Sequence, residues 1–541
     1  MSAILDKLLE WMEAKEDEHL EFKEAKNHFD FEELVKYCAA IANESGGRII
    51  LGVTNKRPRR VIGSSEFENL ERTKAGLVER LHLRFEIHEI PHPDGRVLVF
   101  HIPSRPVGMP IPYKGAYWMR AGESLVPMTP DQLKRILDES GPDFSAEVCV
   151  KASIGDLDAT AILRLKTMWR RKSGNEAVDR LDNEQVLKDL ELIVDGGVTY
   201  AALILLGTRQ ALGKYLAQAE VIFEYRSSEV SGPAQQRKEY RQGFFLHDDD
   251  LWNTIGLRND IQHYQDGLFI WDIPTFNEIV VREAILNAVS HRDYRLAGSV
   301  FIRQFPRKLE IVSPGGFPSG ITSENILWKQ SPRNRRIAEV FAKCGLVERS
   351  GQGANRMFEE SIKESKPRPN FTRSDNYQIS VTLHGEVEDP QFLKFLEQVG
   401  KETLTSFTTQ DLLILDFINR DEQILLKELK ENVASLRDRE IIEMIGRGKG
   451  TRYILSRRFY KFLGKGGVYT RKKGLDRETN KALLLKHVQD FQKDGSRLKE
   501  LSQVLPHFTL PQVRKMLIEL KNEEKIRCIG RTKAALWFLA I

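Results

Sequence analysis

Glu283-Ala-Ile-Leu-Asn287-Ala-Val-Ser-His291-Arg292-Asp293-Tyr294 decides how the middle of this chain reads. The i,i+4 spacing on a helix lays Glu283 and Asn287 on one face, a single turn apart. A carboxylate in that position can orient or deprotonate a water, and the amide oxygen beside it can hold a hard cation such as Mg2+. This is the chemistry of a nucleotide site built without a phosphate loop. No Gly-x-x-x-x-Gly-Lys-Ser/Thr occurs anywhere in the chain, which argues against a motor that depends on that loop. His291 and Asp293, two residues apart, do not face each other on a helix and read as capping and packing residues.

Working outward, the helix is followed by two strand-like runs, Ser299-Val-Phe-Ile-Arg303 and Lys308-Leu-Glu-Ile-Val312. Two glycine-rich turns come next, Ser313-Pro314-Gly315-Gly316 and Gly351-Gln-Gly353. Glycines there let backbone amides approach phosphate oxygens at the start of a following helix. Arg333, Asn334 and Arg335 lie between the turns, within reach of an anion.

These residues resemble the N box and glycine motifs of the GHKL ATPases. They are similar above all to the GHKL-type domain fused to Schlafen-like domains in bacterial RecG-like transcriptional regulators. The resemblance implies a Bergerat-type α/β sandwich that binds ATP with Mg2+. Glu283 would serve as the base for ATP hydrolysis and Asn287 as the Mg2+ ligand. Gly315 and Gly316 match the first glycine motif, Gly351 and Gly353 the second, and Arg333 joins the nucleotide contacts. The family's adenine-binding aspartate is Ser313 here. A serine accepts the adenine amine without a charge, so affinity and base selectivity are expected to weaken.

A second specific stretch lies near the start: Glu16-Asp-Glu-His-Leu-Glu21-Phe22-Lys23, then Ala39-Ala-Ile-Ala-Asn43-Glu-Ser-Gly46-Gly47-Arg-Ile-Ile-Leu-Gly52-Val53, and later Tyr117-Trp-Met-Arg120-Ala-Gly122-Glu123-Ser124. The pattern predicts a helix stopped by Gly46-Gly47 and a buried strand after it. It resembles the Schlafen-type AlbA-like domain, which implies nucleic-acid binding and, in some members, RNA cleavage at a three-carboxylate metal site. Glu16 and Glu21 would be the first two carboxylates. The third position reads Thr54-Asn55-Lys56-Arg57, with no acid, which weakens the nuclease reading. The basic run Lys56, Arg57, Arg59 and Arg60 favours phosphate contact without cleavage.

Beyond about residue 390 the pattern turns helical. A helix begins near Leu412, two more are expected over Leu425–Val433 and Ser435–Ile445, and a basic hairpin follows over Gly446–Leu455. The arrangement returns with Lys481–Gln492, Leu498–Val504, Leu510–Glu523 and a hairpin over Ile526–Phe538. Three helices and a wing describe a winged helix, here in tandem. Arg447, Lys449 and Arg452 would meet phosphates from the first wing, Arg471, Lys472 and Lys473 from the connecting segment, and Arg514 and Lys515 from the last helix. Between Arg447 and Lys481 twelve Lys/Arg stand against two acidic residues, more one-sided than a solvated face requires.

At 541 residues, 41% hydrophobic and 29% charged, the chain is an ordinary globular one of several domains. No run of 18 apolar residues predicts a membrane span. Cys38, Cys149, Cys344 and Cys528 have no metal-ligand spacing and fit a reduced cytoplasm. The expected architecture is therefore multidomain α+β. A Schlafen/AlbA-like domain occupies 1–140, a GHKL domain 145–388, and winged helices 395–475 and 476–541, with Ser140–Ser145 as a linker. The expected function is a cytoplasmic bacterial ATP-binding regulator of transcription that engages nucleic acid, with DNA favoured over RNA and homo-oligomers allowed. The rival is a nucleotide-gated Schlafen-like nuclease acting against phage or mobile DNA.

Overall fold

The computed structural model describes residues 2–139, 141, 143–229, 232–266, 269–318, 320–329, 331–347, 353–403, 407–420, 422, 429–445, 452–462, 477–492, 495–505, 508–530 and 535–540. Ser140 and Pro142 of the linker candidate lie outside these residues. The chain forms two compact units, Met1–Ser361 with Lys366–Glu386, and Ile362–Ser365 with Val387–Ile541. It is a mixed α+β multidomain protein.

The first unit begins with α1 (Ser2–Glu13), β1 (Leu20–Lys23), α2 (Phe31–Asn43), β2 (Gly47–Leu51), α3 (Leu70–Leu81), β3 (Glu86–His92) and β4 (Gly95–Ile102). A small sheet of β5 (Pro112–Tyr113), β6 (Ala116–Ala121) and β7 (Ser124–Pro127) follows, then α4 (Pro130–Asp138). The main sheet runs in the order β1-β2-β4-β3, with β1 and β2 parallel and the other pairs antiparallel. Strand side chains alternate between faces, and both faces here are covered. Ile49, Leu51, Leu98 and Phe100 pack with Leu34, Cys38 and Leu77 of α2 and α3. Ile50, Val97 and Val99 pack with Leu8 of α1. That is why β2 and β4 read as nearly continuous apolar runs. Burying each Leu or Phe there contributes about 1.5–3 kcal/mol.

Helix α2 starts at Asp30, whose side chain accepts from Glu33 N, and ends where Gly46 N–H reaches back to Ile41 O. Gly46 has φ +87°, and a Cβ there would lie 2.7 Å from Ile102 O, so only glycine permits the turn.

The unit continues through α5 (Ala159–Ser173), α6 (Asn183–Asp189), β8 (Ile193–Val194), β9 (Gly197–Val198), α7 (Tyr200–Leu206), α8 (Arg209–Tyr215), β10 (Val221–Tyr225), β11 (Gln236–Tyr240) and α9 (Phe244–Gly256). Then come β12 (Ile261–Asp266), β13 (Phe269–Pro274), α10 (Glu278–Ser290), β14 (Val300–Phe305), β15 (Lys308–Pro314), α11 (Arg335–Lys343), α12 (Gly353–Lys363) and β16 (Gln378–His384). A five-stranded sheet has the order β11-β10-β14-β15-β16, parallel only between β10 and β14. Helix α10 is capped by Asn277, which accepts from Ile279 N and Val280 N. Its Val280, Val281, Ala284, Ile285, Leu286 and Val289 are all buried, as expected of a helix enclosed by a core.

In the second unit one expected helix is corrected, and helices at Pro390–Thr403 and Arg457–Phe462 appear where none was expected. Ser435–Ile445 is not a helix: a single helix covers Lys430–Asp438, and Ile442–Ile445 is a strand paired antiparallel with Arg452–Leu455. Glu440 takes a left-handed φ of +57°, which ends the helical run and releases the β-branched Ile441-Ile442 into the strand. Residues 423–428 and 446–451 lie outside the described residues. Helices Arg477–Asp490, Leu498–Val504 and Leu510–Asn522 pack around Leu484, Val488, Leu501, Met516 and Trp537. A three-stranded sheet of Ser496–Arg497, Ile526–Ile529 and Leu536–Leu539 closes that core. Pro511 occupies the first turn of its helix, and Gln512 Oε1 accepts from Thr509 N at 2.8 Å. Among the described residues, no helix is long and apolar enough to cross a membrane. The four cysteines are free, with Cys38, Cys149 and Cys344 buried.

Candidate nucleotide site

Alternation along β15 and β16 separates two faces of the five-stranded sheet. Val312, Pro314, Gln378 and Ser380 point one way, while Ile311, Ser313, Ile379 and Val381 point the other, into a cavity of about 850 Å³. Helix α10 forms the facing wall with Glu283, Asn287 and His291. Loop and helix residues, Phe317, Phe371 and Met357 among them, make most of the remainder apolar. A largely apolar cavity with a few converging polar groups is the form of a small-molecule site.

Glu283 is 4% exposed. Asn287 Nδ2 donates to Glu283 O at 2.8 Å and to Glu283 Oε1 at 3.2 Å. With the amide nitrogen committed in this way, the amide oxygen is the atom left for a cation. Gly353, the first residue of α12, comes so close that a Cβ there would lie 2.1 Å from Glu283 Oε1 and 3.2 Å from Asn287 Nδ2. The glycine therefore brings a helix N-terminus, with its partial positive charge, against the carboxylate.

At the sheet side, Ser313 is 4% exposed and its Oγ donates to Ala288 O at 2.8 Å. The hydroxyl proton is taken by α10, so toward the cavity the oxygen acts as an acceptor. His291 caps α10, its N–H bonded to Asn287 O, and its ring borders the cavity. Burial, helped by the Arg333 charge, pushes its pKa down to about 4, so it is neutral at pH 7. Asp293 instead pairs with Arg333, at 3.3 Å.

The glycine turn is held tightly. Gly315 has φ +101° and donates to Tyr377 O at 2.6 Å, while a Cβ on Gly316 would lie 2.7 Å from both Asp375 O and Asn376 O. Arg333 Nη2 donates to Gly316 O at 2.7 Å. Arg333 thus braces the turn and, like Gly315 and Gly316, is not among the residues that line the cavity. Asn334 is likewise structural, its amide donating to Ser290 O and Arg292 O. Arg335 does line the cavity, together with Lys329, for which the sequence carries no signal. Gly351 lies outside the described residues.

The acidic cluster of the N-terminal segment is built differently. Glu21, 3% exposed, lies 2.8 Å from Lys23 Nζ and 2.5 Å from Nη2 of Arg120, itself 2% exposed. Glu16 accepts from Phe22 N at 3.0 Å and stands 3.8 Å from Arg59. Burial raises the Glu16 pKa first, and the neighbouring Glu21 charge raises it further. Two carboxylates already facing three cations have little charge left to hold a divalent ion. Among the described residues, no group of three or more His, Cys, Asp or Glu could hold a metal. Thr54 shapes the adjoining turn, accepting from Arg60 N at 2.9 Å.

The basic residues divide in the same way. Lys56, Arg57 and Arg60 are exposed. Arg59 is not: its side chain is 3% exposed, donates to Met12 O and Ala14 O, and lies 4.0 Å over the Phe22 ring. Its reading as a phosphate contact is corrected, because the guanidinium is buried and its Nη1 is held by those two carbonyls. In the second unit Arg452, Arg514 and Lys515 are exposed. Arg447, Lys449, Arg471, Lys472 and Lys473 lie outside the described residues.

Three family models match parts of the chain. "Schlafen, AlbA_2" covers residues 16–129, and "Putative ATP-dependent DNA helicase recG C-terminal", an ATPase-type domain, covers 298–383. The chain joins an AlbA-like domain to an ATPase-type domain. A domain of unknown function, DUF8451, matches 134–222 between them. The DIP2311 protein from Corynebacterium diphtheriae, a solved structure, is similar at 19% identity and a TM-score of 0.48, covering 86% of this chain and 98% of that one. No curated protein matches. Together the two domain types suggest a nucleotide-binding protein connected with nucleic acid.

Proposed function

We propose that this protein is a nucleotide-controlled nucleic-acid-binding regulator that takes ATP with Mg2+ in the cavity beneath α10. The observation that carries the reading is the Glu283–Asn287 pair, set in a cavity wall with Gly353 closing against it. The residues fit the group. Apolar walls suit a base, Ser313 offers an acceptor to an exocyclic amine, and Gly353 leaves a cradle that any side chain would fill. Bound Mg2+ would supply charge neutralisation of the phosphates and would be held by Asn287. Glu283 would hold the proton of a water beside the terminal phosphate. Lys329 and Arg335 supply cations at the rim.

On this reading residues 145–388 form a GHKL-type sandwich, residues 1–140 an AlbA-like nucleic-acid binder, and residues 395–475 and 476–541 tandem winged helices. Lys56, Arg57, Arg60, Arg452, Arg514 and Lys515 are exposed cations suited to phosphates. The ion pairs of Glu21 with Lys23 and Arg120 favour binding over cleavage in the N-terminal domain.

Titration calorimetry with ATP and Mg2+ tests the reading. Binding by the wild-type protein is expected to weaken at least about tenfold, near 1.4 kcal/mol, in Asn287→Ala. Glu283→Gln is expected to keep binding and lose any hydrolysis. Absence of wild-type binding, or full binding by Asn287→Ala, would sink it.

A further inference from the structure

The carbonyls that clamp the glycine turn belong to the loop Asp375–Tyr377, and that loop also touches the N-terminal domain. On one side it accepts the Gly315 N–H at Tyr377 O, 2.6 Å away, and presses Asp375 O and Asn376 O against Gly316. On the other side, Arg135 Nη1 of α4 donates to Asn376 O at 2.8 Å, and its guanidinium lies 5.6 Å from the Tyr377 ring centre. The Tyr377 hydroxyl donates to Asp131 Oδ2, also on α4, at 3.1 Å. The loop is internally stiff, since Asp375 Oδ1 accepts from both Tyr377 N and Gln378 N.

Helix α4 is in turn fixed to the N-terminal domain. Glu139, at its C-terminal end, receives both Arg105 terminal nitrogens at 2.6 and 2.7 Å, and Arg105 N–H bonds to Ala42 O at the end of α2. The segment after α4 adds a second contact, Asp143 Oδ2 accepting from Arg336 N at the start of α11. Helix α11 carries the cavity residue Arg335.

We propose that Tyr377 and Arg135 are positioning residues that link the glycine turn between the cavity residues Ser313 and Phe317 to the AlbA-like domain. Nucleotide that orders or shifts Gly315–Gly316 moves the loop, and the loop moves α4. This rests on the nucleotide reading above. Tyr377 is 54% exposed, so each contact is individually weak. Several together support a coupling of about fivefold, at the lower end of the usual range.

The test compares wild type with a Tyr377→Phe/Arg135→Ala double variant, which leaves the Tyr377 carbonyl in place. Amide hydrogen exchange over residues 130–138 is followed with and without ADP and Mg2+. Affinity for a labelled single-stranded oligonucleotide is measured under the same two conditions. In the wild type, nucleotide is expected to change both by about fivefold. In the double variant both changes vanish, while the calorimetric nucleotide affinity and the nucleotide-free oligonucleotide affinity stay within about twofold of wild type. The inference is overturned if the variant still responds as wild type does, or if nucleotide-bound wild type shows no response. Absence of calorimetric binding by the wild type overturns the nucleotide reading itself, and the linkage falls with it.

Discussion

Glu283 and Glu21 are almost equally buried, at 4% and 3% exposed, yet their surroundings are opposite. Glu283 faces a large cavity with an amide and a glycine beside it. Glu21 lies between Lys23 and Arg120 and contributes to a closed ionic cluster. Burial therefore does not mark a site. Glu21, matched by Lys23 and Arg120, is an internal strut, whereas Glu283 lines a cavity that a ligand can enter.

The largest test of this contrast is Glu21→Ala. Removing one partner leaves Arg120 buried and uncompensated, and is expected to cost about 3–5 kcal/mol, read as a lower melting temperature. A melting temperature near that of wild type would show the cluster to be less closed than its geometry indicates.

Gly353→Ala should strike the other region while sparing the first. The new Cβ would lie 2.1 Å from Glu283 Oε1, so an overpacking cost of about 2 kcal/mol is expected to appear as about thirtyfold weaker nucleotide binding. Unchanged affinity would mean that Gly353 does not approach Glu283 when nucleotide is bound.

Acid provides a third comparison. His291 has a pKa lowered from 6.5 to about 4, so between those values the unfolded chain binds more protons than the folded one. Its contribution to stability is complete above pH 6.5 and is lost as pH falls toward 4. His291→Asn is expected to shrink the loss of urea stability between pH 7 and 5. Some slope remains, because the buried His247, also lowered to about 4, acts in the same direction. An unaltered slope would remove His291 from the cavity wall's acid response.

The smallest effect separates neighbouring arginines. Arg60→Ala should leave stability within about 0.5 kcal/mol and reduce the salt dependence of nucleic-acid binding by about one counterion. Arg59→Ala should instead lower the melting temperature, because its buried Nη1 donates to both the Met12 and Ala14 carbonyls. Identical behaviour of the two variants would erase the distinction.

Much of the arrangement was legible locally. The apolar run after Gly46-Gly47 marks a buried strand, the glycines themselves mark a helix stop, and the spacing of Glu283 and Asn287 places both on one face. Arg59 was misread because a run of basic residues looks alike whether it reaches solvent or its own backbone. The extended helix over Ser435–Ile445 failed for a related reason: Ile441-Ile442 satisfies a helical pattern as readily as a strand, and pairing with Arg452–Leu455 decided between them.

The sequence by itself determined periodicity, caps, glycine turns and the one-turn spacing of the candidate site, because these depend on residues a few positions apart. Only the tertiary structure decided which charges are matched. Arg120 reaches Glu21, Arg333 turns onto Gly316 and Asp293, and the loop Asp375–Tyr377 bridges the glycine turn to α4. Coulombic and hydrogen-bond partners are chosen by distance through space, which local pattern does not encode.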